Sequence, residues 1–238
     1  MLFLARPIYA FLVQKGKFCE MDMYPNVPKK RFYTAVKRLF DIVVSLFGII
    51  VAALPMVVIA LIVKLTSNGP VLFRQPRVGK GGKLFDCLKF RTMYTDAPNA
   101  MATCEFENPE RFITGPGKIL RKTSLDELPQ LFNILKGDMS IVGPRPLIPK
   151  ETEVHELRTS YGVYTIRPGL TGWAQVKGRD RLDSHSKSAL DKYYVENRSF
   201  LLDFKILCFT VPKVLFGSDI VEGKKKNTKQ AASQTEQQ

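Results

Sequence analysis

The sequence predicts a mostly helical α+β protein held on one side of a membrane: monotopic, with a proline-broken re-entrant helix, interfacial amphipathic helices and a small β-hairpin. Three observations predict it. The 22 residues from Ile42 to Val63 carry no charge and contain Pro55. Basic residues crowd both ends of that run. Beyond it, "VLFRQPRVGKGGKLFDCLKFRTM" places β-rich segments on either side of a Lys-Gly-Gly turn, a hairpin signature.

The apolar run has the length of a membrane span. Pro55 has no N–H to give to the carbonyl of Val51, and its ring pushes that turn open. A spanning helix tolerates such a proline when neighbouring helices satisfy the freed carbonyl, and the sequence holds no second strong span. Charge points the same way. Lys29, Lys30, Arg31, Lys37 and Arg38 precede the run, while Lys64, Arg74, Arg77, Lys80 and Lys83 follow it, whereas a span leaves one flank poorer in cations. A helix broken at Leu54-Pro55 that dips into one leaflet and returns keeps both flanks on the cytoplasmic face. Composition alone leaves a straight span and a buried soluble helix open.

The remaining elements follow in order. Residues 1–33 read as an N-terminal extension, in which "MLFLARPIYAFLV" suits an interfacial element or a helix packed on the domain, and lacks the charge order of a secretory signal. Residues 34–65 form the membrane helix, and 66–218 the domain that carries the chemistry. Within it, 95–118 is turn-rich, a helix surrounds "SLDELPQLFNILKG", another falls near 148–160, and "IRPGLTGWAQVKGR" reads as a loop. An apolar helix covers about 199–216, interrupted by Asp203, Lys205 and Lys213 as an interfacial helix would be. Residues 219–238 read as a disordered polar tail.

A formal charge of +14 calls for an acidic partner. No zinc-finger, aromatic RNA-binding or basic-zipper pattern is present, so anionic lipid and phosphorylated substrates outrank nucleic acid. The four cysteines are scattered without a C-x-x-C pair, which argues against a zinc site and suits a reducing cytoplasm.

The chemistry concentrates in "RKTSLDELPQLFNILKGDMSIVGPRP". Its plain reading is a helix capped by Asp126, or by Ser124 with Glu127, bearing a Leu128, Leu131, Phe132 and Leu135 face and stopped at Gly137. Arg121 before the acids and Arg145 between two prolines suggest more. Two adjacent carboxylates flanked by arginines suit a divalent cation shared with a diphosphate. A carboxylate can also attack phosphorus directly.

Together, "KRLFD" before an apolar run with Pro55, "KFRTM", the "LDELP…GPRP" stretch and "RPGLTGWAQVKGR" resemble the bacterial sugar transferases over about residues 34–218. The resemblance implies a monotopic polyprenyl-phosphate sugar-1-phosphate transferase of the cytoplasmic membrane, with its re-entrant helix anchored through Lys37, Arg38, Leu54 and Pro55. It implies Asp126 as the nucleophile on a UDP-sugar, Glu127 as its partner, and Mg2+ held by both. Undecaprenyl phosphate is then the acceptor and UMP the leaving product. It places Arg121, Arg145, Lys89, Arg91, Arg167, Gln175 and Arg179 around the phosphates and nucleotide sugar. The contrasting expectation is a non-catalytic membrane-surface adaptor, whose acids cap a helix and whose arginines bind anionic lipid.

Overall fold

The computed structural model describes Val27 and residues 29–97, 109–178 and 182–216. The extension before residue 27, the tail after residue 216, and Arg179 lie outside the described residues.

A single helix, α1 (Arg31–Thr66), carries the whole apolar run. Helical backbone continues across Pro55, so the interruption expected at Leu54-Pro55 is not a gap in the helix. One stripe of α1 faces the rest of the protein from end to end. Toward its middle Val44 and Ile49 pack on a core of Cys87, Leu131, Ile134, Ile141, Trp173 and Tyr194. Near its end Ile59 and Val63 are buried against Phe90 and Leu120. The opposite stripe, including Leu39, Phe47, Ile50, Leu54, Val57, Leu61 and Leu65, is exposed, Leu54 by 74%.

Polar contacts fix the register of α1 on the domain. Buried Asp41 accepts hydrogen bonds from the Ser140 hydroxyl (3.1 Å) and the Ile141 backbone N–H (3.0 Å). Arg38 donates to the carbonyls of Ile134 (2.6 Å) and Leu135 (2.9 Å). The "KRLFD" motif is therefore an attachment device. Its cation caps a neighbouring helix end and its acid captures a strand end one turn on.

The hairpin forms as expected. Strands β1 (Leu72–Val78) and β2 (Leu84–Phe90) pair antiparallel, with Pro76 opposite Asp86, around a turn where Gly81 and Gly82 take positive φ of 71° and 70°. Helices α2 (Gly115–Lys122) and α3 (Gln130–Lys136) follow. Asn133 of α3 is buried and grips β2 as a further strand would: its side chain accepts from Leu88 N–H (3.0 Å) and donates to the Asp86 carbonyl (2.8 Å).

Three departures from the sequence reading have local causes. Phe132, expected on the buried face of α3, is exposed, while Ile134 is fully enclosed, because α3 packs through Gln130, Leu131, Asn133 and Ile134. The "RPGLTGWAQVK" stretch is regular structure. Strand β4 (Gly169–Thr171) pairs parallel with β3 (Ser140–Val142), and α5 (Trp173–Lys177) follows. Alternation is invisible in strands this short. Between them, Gly143 and Gly169 meet backbone to backbone: a Cβ on Gly169 would lie 2.1 Å from the Gly143 nitrogen. That contact requires glycine in both motifs. Between α4 (Thr152–Ser160) and the last helix, α6 (Ser184–Asn197) appears where no helix was expected. Its N-cap is the Asp183 side chain, which accepts from Ser186 N–H.

Helix α7 (Phe200–Phe216) closes the domain on α1. Asp203, read as an interruption of its apolar pattern, accepts from Tyr33 (2.7 Å) and Tyr194 (2.7 Å) and pairs with Lys37 at 2.8 Å. Phe200, Leu201, Phe204, Phe209 and Val211 remain exposed.

Replacing Asp41 with alanine leaves the Ile141 N–H and Ser140 hydroxyl unmatched in a buried site. The expected loss is roughly 2–3 kcal/mol, or about 5–10 °C in Tm for a chain of this size, measured by thermal unfolding in detergent.

Candidate active site

Asp126 and Glu127 do not cap a helix. They sit in a 3-10 turn, Leu125–Glu127, entered through Ser124 with positive φ (58°), and Ser124 makes no side-chain capping bond. The N-cap of α3 is Pro129, three residues past Asp126. The capping explanation of these acids is corrected: the backbone presents them before the helix begins. Both are nevertheless buried, 7% and 9% exposed, where unpaired carboxylates are expensive.

Glu127 meets that cost with two cations on one oxygen. Lys89 Nζ lies 2.7 Å from its Oε1, and an Arg145 guanidinium nitrogen lies 3.1 Å from the same atom. Lys89 also stands 4.0 Å from Asp126 Oδ2. Burial raises the Asp126 pKa above the ordinary carboxylate range; Lys89 opposes this, Glu127 adds to it, and Arg121 at the end of α2 opposes it further. The result is a carboxylate with cations on several sides, Lys89 at 4.0 Å among them.

Each partner is positioned by its own element. Lys89 comes from β2, which Asn133 fixes to α3. Arg145 comes from the loop after β3, whose next carbonyls are tied one by one. Arg158 donates to the Arg145 carbonyl (2.7 Å), Arg77 to Pro146 (3.0 Å), and Val78 N–H to Leu147 (3.0 Å), while a His155 ring nitrogen lies 2.8 Å from that of Ile148. Prolines stiffen this loop, and four contacts from different places locate it.

Arg158 ties this loop to a second element. It also donates to Asp191 of α6 at 2.5 Å, and both side chains are enclosed. Burial alone would lower the Arg158 pKa, but Asp191 beside it raises it on balance. Sequence reading missed Arg158 and Asp191, which lie outside the recognisable motifs. His155 is buried between Tyr164 and the Ile148 carbonyl, and exposed His185 faces Glu153.

Other expected site residues are placed elsewhere. Arg91 is buried, and its guanidinium bonds the Ser67 hydroxyl and the carbonyls of Ser67 and Asn68, holding the chain as it leaves α1. Arg167 donates to the Gly137 carbonyl at 2.8 Å beside Arg38. Gln175 donates to the Leu170 carbonyl within its own turn. Trp173 is buried and stacks on Tyr193, with ring centroids 5.9 Å apart. The structure thus unites Lys89, Arg121, Asp126, Glu127 and Arg145, and gives Arg91, Arg167 and Gln175 local structural contacts instead.

The set fits a hard divalent cation shared with a substrate. Two adjacent carboxylates supply oxygens, and among the described residues no group of three or more His, Cys, Asp or Glu makes an all-protein cage. Magnesium is commonly held this way, by one or two carboxylates and the phosphate oxygens of a substrate.

The model of the bacterial sugar transferase family matches residues 32–217, which includes α1 and every element of this site. The chain belongs to the bacterial sugar transferase family. Among similar proteins, the uncharacterised sugar transferase EpsL of Bacillus subtilis (strain 168) is 46% identical over 163 residues, covering 67% of this chain and 77% of that protein. The undecaprenyl-phosphate glucose phosphotransferase of Komagataeibacter xylinus is 41% identical, covering 66% of this chain and 31% of its own length. The undecaprenyl-phosphate galactose phosphotransferase of Salmonella typhimurium (strain LT2) is 42% identical, covering 62% of this chain and 34% of its own length. The sugar transferase described here therefore spans about a third of these two longer relatives. Proteins of this family are membrane-associated, and α1 is long and apolar enough to cross a bilayer by length and composition.

Lysine in place of Arg158 keeps a charge for Asp191 but loses the fork that also reaches the Arg145 carbonyl. The expected effect on this sugar transferase is a fall of ~10–100-fold in kcat/KM for nucleotide sugar, measured by steady-state turnover, as Arg145 drifts from its place.

Proposed function

We propose that this phosphoglycosyl transferase moves a sugar-1-phosphate from a UDP-sugar to undecaprenyl phosphate through a covalent intermediate on Asp126. The observation that carries this reading is the pair of buried carboxylates on a turn that caps nothing, ringed by Lys89, Arg121 and Arg145. The named relatives that act on undecaprenyl phosphate supply the acceptor class.

The chemistry follows from these residues. An Asp126 oxygen attacks the β-phosphorus of the UDP-sugar, and the bond from that phosphorus to the bridging oxygen breaks. UMP leaves with the bridging oxygen, and the sugar–oxygen bond stays intact. A phosphate oxygen of undecaprenyl phosphate then attacks the same phosphorus, frees the Asp126 carboxylate and yields a lipid diphosphate-sugar. Arg121 and Arg145 hold phosphate oxygens and take up charge that develops between them. Glu127 keeps Lys89 and Arg145 in position, and their protons stay on the cations. Asp126 and Glu127 are the residues that would hold a magnesium ion, which would supply positive charge for the diphosphate. Enclosure of Asp126 excludes the water that would hydrolyse an acyl-phosphate.

The placement of α1 supports a one-sided membrane arrangement with the domain on the cytoplasmic face. A straight span of 20 residues would carry its far end about 30 Å away through lipid. In this protein residues near both ends of α1 pack on one body, and the opposite stripe is apolar and exposed. That stripe suits burial in a single leaflet.

Four outcomes are expected. Asp126→Asn loses at least ~10³-fold in UMP release across a panel of UDP-sugars with undecaprenyl phosphate and magnesium; retained turnover would reject the nucleophile. Because burial raises the Asp126 pKa, the acid limb of turnover lies above the range of an ordinary aspartate. The sign for stability is the reverse of a salt-bridged acid: the wild type loses stability as pH rises through the folded pKa. Asp126→Asn therefore melts higher at neutral pH, by an advantage that shrinks as pH falls through the raised folded pKa and is gone below about pH 4. In a Cys208→Ser background, cysteines at Ala35 and Asn68 are both shielded from an impermeant label in intact cells; opposite accessibility identifies a span.

A further inference from the structure

A second cationic site lies apart from Asp126 and shares no residue with it. Lys37 and Arg38 of α1, Lys80 of the hairpin turn, Arg167 before β4 and Arg198 before α7 line one cleft. Asp41 is the one carboxylate in its lining, and it is occupied by Ser140 and Ile141. Lys37 is neutralised by Asp203.

Arg38 and Arg167 are hydrogen-bonded to backbone carbonyls, and among the described residues neither makes an ion pair. Arg38 donates to the carbonyls of Ile134 and Leu135, and Arg167 to that of Gly137, so uncharged acceptors fill one side of each guanidinium. Burial lowers the Arg167 pKa, and the charge of Arg38 lowers it further, with Asp41 offsetting only part of the two. Holding like charges together in a half-enclosed cleft is unfavourable unless an anion joins them. An oxyanion with several acceptor oxygens fits, since guanidinium forks bind phosphate through paired donors.

The position of the cleft on α1 says how that phosphate arrives. Its lining takes residues 33, 34, 37, 38 and 41 from one face of the helix. Val36, Leu39, Phe40 and Val43, exposed on the same turns, form the adjoining apolar stripe. A headgroup in the cleft would lay its chains along that stripe.

We propose that this cleft binds the phosphate of an anionic lipid headgroup, at the edge of the exposed face of α1. The proposal rests on the one-leaflet placement of α1 given above. The site is distinct from the transfer site, so occupancy sets how the protein sits on its bilayer rather than the chemistry at Asp126.

The test uses the full chain in detergent, incubated with phosphatidylglycerol or phosphatidylcholine and examined by native mass spectrometry. The wild type is expected to retain one phosphatidylglycerol in preference to phosphatidylcholine, and Lys80→Gln with Arg167→Gln to retain about tenfold less. Thr34→Glu, at an exposed position on the rim, brings in a competing carboxylate without removing a buried contact and should show the same loss. Lys150→Gln, away from the cleft, should bind as wild type does. Equal retention of the two lipids by the wild type, or undiminished retention by Thr34→Glu, overturns the proposal. A rise in Tm with inorganic phosphate but no lipid adduct overturns the lipid source. Cosedimentation with pure phosphatidylcholine vesicles, run on the same preparations, reports the membrane placement of α1 separately.

Discussion

One carboxylate oxygen holds the catalytic region together. Glu127 Oε1 takes Lys89 from the hairpin and Arg145 from the loop after β3, at 2.7 and 3.1 Å, in a setting almost closed to water. Three segments distant in the chain meet at that atom. Removing either cation leaves a buried charge partly compensated, a change that costs several kcal/mol in comparable sites. Asp126, next in the chain, shares this cationic surrounding without being consumed by it. The division between a carboxylate that organises and one that stays available is what makes the pair chemically useful.

The rest of the fold can be seen as the means of bringing those segments to Glu127. Asn133 substitutes for a missing strand, so that β2 and α3 hold a fixed offset. Arg77, Val78, His155 and Arg158 hold the Arg145 loop from below. Gly143 and Gly169 allow two backbones to touch where any side chain would separate them. The same domain surface then receives α1 through Asp41 and Arg38, so the long apolar helix and the Asp126–Glu127 turn belong to one packed unit.

How much of this was legible in the sequence depended on whether a residue's role was local. The hairpin, the stop at Gly137 and the last helix follow from turn glycines and apolar periodicity, and all are present. Asp126, Glu127, Lys89, Arg121 and Arg145 stood out because acids and cations cluster within recognisable motifs. Local logic also misled. "SLDE" has the spacing of a capping box, yet Ser124 turns left-handed and the helix starts at Gln130. Arg91 and Arg167 share motifs with site residues but point to carbonyls that only tertiary structure brings near. Arg158 and Asp191 gave no signal, because a buried ion pair 33 residues apart in sequence leaves no periodic trace.

The central claim is that the sugar phosphate passes through a bond to Asp126. Incubating the purified chain with a UDP-sugar and magnesium, without lipid acceptor, then quenching in acid and measuring intact mass, tests it most directly. The account predicts a gain of one sugar-phosphate per chain, mapped by peptide analysis to the segment holding Asp126 and discharged when undecaprenyl phosphate is added before the quench. An unmodified chain that nevertheless turns over when both substrates are present would mean direct transfer between them, and would contradict it.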